Sequence, residues 1–207
     1  MPTMPTMPTG TTRTQDKAAR AAAVLADALA ASVPRAPASD PQTRDREPDP
    51  HDVARQIVLR QLAMAPRSRA QLEQKLSQRG CSADVAAAVL DRMTEVGLVD
   101  DEAYAQMFVR SQQAGRGLAK RALARELRTK GIEDDLAERA LASIAEADER
   151  DRARTLVDKK LRAMHGLGIE VQTRRLAGML ARKGYSSSVI YAVIREAIAD
   201  APEHLPD

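Results

Sequence analysis

The sequence predicts an all-α protein, an elongated array of three tandem three-helix repeats behind a disordered N-terminal extension. Three observations carry that expectation. Between Arg67 and Ala201 there is no proline, and the stretch is rich in Ala, Leu, Arg, Glu and Lys. An interior proline removes a helix hydrogen bond and clashes with the preceding turn, whereas those residues lose little on entering a helix. A basic residue followed by glycine recurs at intervals of about fifty residues, as Arg79-Gly80, Lys130-Gly131 and Lys183-Gly184. Leucines stand four and eight positions before each glycine: Leu76 and Leu72, Leu127 and Leu123, Leu180 and Leu176. Each pair lies on one helical stripe, so every unit reads as helix, glycine stop, helix.

Taken in chain order, residues 1–50 hold eight of the eleven prolines and three successive Met-Pro-Thr triplets, which bring too little apolar surface to offset the entropy of ordering. They are expected to be disordered, with one helical island at Ala18 to Ala31. The first repeat is expected over 51–99. It opens with an apolar stripe of Val53, Ile57, Val58 and Leu62, and Ser68 with Gln71 forms a capping box after Pro66. The second is expected over 100–147, with Asp100 as the cap of a helix whose Tyr104 and Phe108 face inward. The third is expected over 148–201, with Leu156, Val157, Leu161 and Met164 inward and Gly166 and Gly168 closing the helix; a tail occupies 202–207. After each repeated glycine comes a residue suited to burial (Cys81, Ile132, Tyr185), then Val85, Leu136 and Val189, then Leu90, Leu141 and Ile194. A bundle of about fifty residues is near the lower limit for an independent core, so each repeat should lean on its neighbour. Arrays of this kind offer long concave surfaces suited to filaments or nucleic acid.

Composition removes several classes. One Phe, three Tyr and no Trp in 207 residues leave almost nothing from which to build a base-stacking platform. A single cysteine excludes an internal disulfide framework and a cysteine-rich zinc site. His51, His165 and His204 are too scattered to share a metal, so neither a metal site nor a cofactor is expected. No apolar run is long enough to span a membrane, and the most leader-like segment, Ala21 to Val33, is interrupted by Asp27. A cytoplasmic protein is expected.

No catalytic constellation emerges. Asp100-Asp101 and Asp134-Asp135 sit at expected helix starts, where carboxylates complement the helix dipole. Cys81 holds the place of Ile132 and Tyr185 in the sister repeats and reads as a small buried hydrophobe. Gly115 to Gly117 and Gly166 to Gly168 lack the strand context of a phosphate-binding loop and read as turns.

Charge distribution says more. The net charge is only +3, yet from Arg110 to Lys130 seven basic residues face one acid, Glu126. Lys120 or Arg121, Arg125 and Arg128 recur at helical spacing opposite Leu123 and Leu127, a pattern that can engage phosphates or an acidic groove. A second cluster, Arg150, Arg152, Arg154, Lys159, Lys160 and Arg162, is interleaved with Glu149, Asp151 and Asp158 and reads as salt-bridged surface. A helix-turn-helix regulator acting on duplex DNA is the rival reading. It fits poorly, because Ser82 to Glu95 offers only Arg92 and Glu133 to Glu146 opens on three acids.

The stretch Gly97-Leu98-Val99-Asp100-Asp101, Tyr104-Ala105, Val109-Arg110-Ser111, then Gly117, Leu123, Glu126-Leu127 and Lys130-Gly131-Ile132, resembles the signature of the RecX family of recombinase regulators. Arg67-Ser68-Arg69 with Leu72, Leu76 and Gly80 in the first unit fits the same pattern, as does Leu180-Ala181-Arg182-Lys183-Gly184-Tyr185 in the third. The resemblance covers about residues 52 to 200; Tyr104 stands for the usual Phe and Leu123 for the usual Ile. It implies a non-enzymatic protein of tandem three-helix repeats that lodges in the groove of the RecA–single-stranded DNA filament. There it would restrain ATP hydrolysis, strand exchange and coprotease activity. The partners so implied are the RecA filament and, secondarily, single-stranded DNA, with the chain acting as a monomer and no membrane involved. From charge, the filament contact is placed at Arg110, Arg116, Lys120, Arg121, Arg125 and Arg128.

Overall fold

The computed structural model describes residues 48–200. The helical island at Ala18 to Ala31 and the tail from 202 lie outside the described residues, as does the extension up to 47. Among the described residues the secondary structure is nine α-helices and no strand. They are α1 Pro50–Met64, α2 Arg69–Gln78, α3 Ala83–Glu95, α4 Asp101–Arg116, α5 Lys120–Thr129, α6 Asp134–Ala142, α7 Glu146–Arg162, α8 Ile169–Arg182 and α9 Ser187–Ala199. Pro50, expected in the extension, is instead the first residue of α1, where its missing N–H is no loss. The chain divides into two compact units at Asp100–Asp101, the first holding α1 to α3 and the second α4 to α9.

The repeated leucine, glycine and hydrophobe has one structural cause. At the end of α2, α5 and α8, Gly80, Gly131 and Gly184 take φ of 79°, 73° and 89°. That turn lets the N–H of the next residue donate back to the leucine carbonyl: Cys81 to Leu76 at 3.1 Å, Ile132 to Leu127 at 3.1 Å and Tyr185 to Leu180 at 3.2 Å. The glycine N–H donates to Ser77, Arg128 and Ala181 in turn. This is the Schellman arrangement, in which a hydrophobe after the glycine folds back onto the last helical turn. All six leucines of the repeat are buried.

In the first unit α1 and α2 both pack on α3, around Ala54, Val58, Leu59, Leu72, Leu76, Leu90 and Met93. The inward face of α1 differs from the expected stripe. Ala54 and Leu59 are buried, while Val53 is 40% exposed. Val53 stands five positions before Val58 and so about 140° around the helix, on the outer side. Cys81 is only partly buried against this core.

The Ser68 hydroxyl accepts from Gln71 N–H at 3.3 Å, and the Gln71 side chain accepts from Ser68 N–H at 3.2 Å, completing the expected capping box. Ser68 is fully buried. Ser68→Ala should therefore lower stability by about 1 kcal/mol, read as a shift in urea midpoint at unchanged slope.

The second unit contains two bundles with separate cores. Tyr104, Phe108, Leu123, Leu127, Ile132 and Leu141 fill the first, where the Tyr104 and Phe108 rings stack with centroids 6.1 Å apart. The Lys130 ammonium lies 5.2 Å from the Phe108 centroid, a cation over a ring face. Val157, Leu161, Leu176, Leu180, Tyr185, Val193 and Ile194 fill the second. Ala119, from the loop before α5, is buried in that second core, so the two bundles of this unit interlock.

Candidate functional site

The basic helix α5 has two sides. Ala122, Leu123 and Leu127 turn into the core, leaving Arg121, Arg125 and Arg128 exposed on the other side. Arg110 is exposed on α4. The six residues expected at the contact fall into two groups. Arg116 donates to both oxygens of Glu126, at 2.9 and 3.1 Å, and to Gln112, which ties the end of α4 to α5. Arg128 Nε donates to Asp134 at 2.7 Å, and this bond holds the guanidinium pKa above its usual value. Lys120 is half-buried, with its charge and peptide N–H facing the Glu149 carboxyl. Burial raises the Glu149 pKa, and Lys120 opposes that rise. Arg110, Arg121 and Arg125, by contrast, make no ion pair among the described residues. Arg121 and Arg125 are four residues apart and share a face.

The position of α5 is set by the third bundle. Ala119 N–H donates to the Lys183 carbonyl at 3.0 Å, Tyr185 OH donates to the Gly117 carbonyl at 3.1 Å, and the Lys183 ammonium donates to the Arg116 carbonyl. Gly184 lies directly on Ala122 at the start of α5, and Leu156 of α7 lies on Gly117. The basic face is thus held on a helix fixed at its N-terminal end by another bundle.

Tyr185 reports on this junction. Burial, with a smaller contribution from the Glu149 charge, pushes its phenol up to about 12 from a usual 10.0. A group whose folded pKa is raised favours the fold while protonated, and that contribution disappears as pH climbs from the unfolded value through the folded one. Stability should therefore fall more steeply between pH 10 and about 12 than in Tyr185→Phe. At neutral pH the same variant should lose about 1 kcal/mol for the missing hydrogen bond to Gly117. Chemical denaturation at several pH values checks both.

The second basic cluster matches its expected salt-bridged role only in part. Arg150 pairs with Glu196 at 2.5 Å, and Arg154 with Asp158 at 2.8 Å and Asp200 at 2.9 Å, so these two guanidiniums tie α7 to α9. Lys159, Lys160 and Arg162 make no ion pair among the described residues, because the acids of α9 meet only the Arg150 and Arg154 side of α7. Sequence alternation of charge hid this sorting. Helical spacing could have revealed it, since Arg150, Arg154 and Asp158 recur every four residues while Arg152, Leu156 and Lys159 follow a different row.

Among the described residues no group of three or more His, Cys, Asp or Glu could hold a metal ion, and no helix is long and apolar enough to cross a membrane. Three-helix bundles in tandem, each with a Schellman turn between its second and third helices, define an all-α repeat protein. Family models match all three bundles: the first RecX three-helix domain over residues 54–93, the second over 100–141 and the third over 147–194. The regulatory protein RecX of Streptomyces coelicolor is 49% identical over 162 residues, covering 77% of this chain and 86% of that protein. That of Mycolicibacterium smegmatis is 46% identical over 170 residues, covering 80% and 87%. The crystal structure of RecX from Lactobacillus salivarius superposes with a TM-score of 0.65 at 23% identity, covering 72% of this chain and 97% of that one, a likeness of fold. This chain belongs to the RecX family, whose members are regulatory proteins and not enzymes.

Proposed function

We propose that this chain binds in the helical groove of the RecA–single-stranded DNA filament and inhibits the ATPase, strand-exchange and coprotease activities of RecA. Family membership supports RecA as the regulated protein. The observation that carries the contact is the unpaired guanidinium face of α5, Arg121 and Arg125, with Arg110 on α4. Such groups bind carboxylate or phosphate with two parallel hydrogen bonds and bring little desolvation penalty when they start exposed. Arg116 and Arg128 act at the edges of the same contact, their pairs with Glu126 and Asp134 being exchangeable surface interactions, and Lys120 adds its charge from a half-buried place beside Glu149. The protein acts as a monomer in the cytoplasm, by occupancy and without chemistry of its own.

The duplex-reading alternative has little to stand on. The only arginine of α3, Arg92, is engaged by Glu95 at 2.9 Å, and exposed Asp134 and Asp135 lead α6 towards any phosphate. Co-sedimentation separates the two readings. The chain should pellet with RecA–single-stranded DNA filaments and stay in the supernatant with duplex DNA at physiological salt; the reverse distribution rejects the filament reading.

A further inference from the structure

An apolar groove of about 390 Å³ opens in the third bundle, between the start of α8 and the C-terminal half of α9. Of the residues lining it, Ile194 is buried and Thr173 and Ile198 are half-buried, while Ile169 and Tyr191 are 49% and 68% exposed. Apolar side chains gathered in a cleft, rather than scattered singly, mark a surface that a partner covers. One cation, Arg195, lines the same groove and is exposed. It makes no ion pair among the described residues; the other charged groups of α9, Glu196 and Asp200, are held by Arg150 and Arg154 of α7.

The occupant must be short. Seven residues line the groove, whereas a stable interface between two proteins engages about 20–30 on each side. A short segment arriving from solution would not recover the translational freedom it loses on so small a contact. One tethered at the edge of the groove is present there at an effective concentration of about a millimolar. Such a segment exists: Ala199 lines the groove, and the chain runs on from Asp200 through Ala201-Pro202-Glu203-His204-Leu205-Pro206-Asp207.

We infer that this groove is the docking site of the chain's own segment 201–207, with Leu205 on the isoleucines and a flanking carboxylate on Arg195. Pro202 cannot continue α9 and disfavours helical backbone at Ala201, so the chain can reverse there. In an extended segment Glu203, Leu205 and Asp207 fall on one face, which sets an apolar anchor between two acids. Glu203 to Asp207 reach about 16 Å when extended, enough for the run of about 12 Å along α9 from Ala199 back to Tyr191. The acids match the one cation of the groove, and a guanidinium takes a carboxylate through two parallel hydrogen bonds.

The inference is independent of the filament reading, and its failure leaves RecA inhibition untouched. Acrylamide quenching of tyrosine fluorescence tests it, because the chain has no tryptophan, Tyr104 and Tyr185 are buried, and Tyr191 stands at the groove. Deleting residues 201–207, or Leu205→Asp in the full chain, should raise the quenching constant by about twofold or more, since the tether otherwise keeps the groove filled. In a Tyr191→Phe background neither change should alter quenching, which separates an uncovered groove from loosening around the buried tyrosines. Arg195→Glu should also raise the constant, and adding Glu203→Lys with Asp207→Lys should bring it back. Equal quenching in the full chain, the shortened chain and Leu205→Asp would overturn the inference. So would exposure of Tyr191 on deletion of residues 1–47 in place of 201–207, which would give the groove to the other end of the chain. Quenching that rises as the full chain is diluted would likewise overturn it, by giving the groove to a second copy.

Discussion

Gly184→Ala should destabilise the second unit by about 3 kcal/mol or more, through two effects that add. Gly184 sits at φ +89°, where an L side chain is strained by about 1–3 kcal/mol. A Cβ there would also lie 2.7 Å from both the Cβ and the backbone nitrogen of Ala122. Backbone at a helix start cannot rotate aside as a flexible side chain can, so the third bundle would have to withdraw from α5. Gly80 is the internal control. It holds the same place in the first repeat at φ +79°, but a Cβ there meets nothing within 4 Å. Gly80→Ala should therefore show strain alone, about 1–2 kcal/mol. Urea unfolding of the two variants measures the difference, and equal losses would mean that the contact between Gly184 and α5 contributes nothing.

Reversing charge at Arg121 and Arg125 should abolish most of the inhibition of RecA while leaving the fold intact. Both side chains are exposed and make no ion pair among the described residues, so their loss removes nothing from the core. A charge-assisted hydrogen bond is worth about 1.5–3 kcal/mol, and reversal adds repulsion. The half-inhibitory concentration should rise by at least tenfold, and by about a hundredfold if both contacts are made in full. Arg128→Ala should have a smaller effect, because that guanidinium already shares its charge with Asp134. A melting temperature within a degree or two of wild type, alongside lost inhibition, distinguishes a docking role from misfolding.

Much of this fold was legible because its repeat has a local cause. The spacing of leucine, glycine and hydrophobe is the covalent imprint of a Schellman turn, so Leu127, Gly131 and Ile132 announce both the helix end and the inward direction of the chain. Tyr104 and Phe108 were legible for the same reason, being four apart on one stripe. The inward face of α1 was less so, since Ala54 and Val53 are adjacent and only packing against α3 decides which of them turns in. The candidate site was legible as a charge run but not as a division of labour. That Arg116 and Arg128 are engaged by Glu126 and Asp134 while Arg121 and Arg125 are not depends on where α4 and α6 bring their acids. Two open clefts beside α7, of about 650 and 480 Å³, were hidden altogether. Their basic residues come from α4, α7 and α8, and Asp158, interleaved with them on α7, pairs with Arg154 instead.

The same geometry explains why α5 can serve as a docking element despite being only ten residues long. An isolated helix of that length is marginal in water, and propensity alone would not hold Arg121 and Arg125 at a fixed spacing. The junction of Ala119, Lys183, Gly184 and Tyr185 immobilises its first turn. A contact prepared in this way loses less conformational entropy when the partner arrives.

The most direct measurement is the rate of ATP hydrolysis by RecA on single-stranded DNA as this chain is added. Turnover should fall at fewer than one chain per RecA protomer, since a molecule seated in a filament groove touches several protomers. Undiminished turnover in the presence of a large excess would contradict the account.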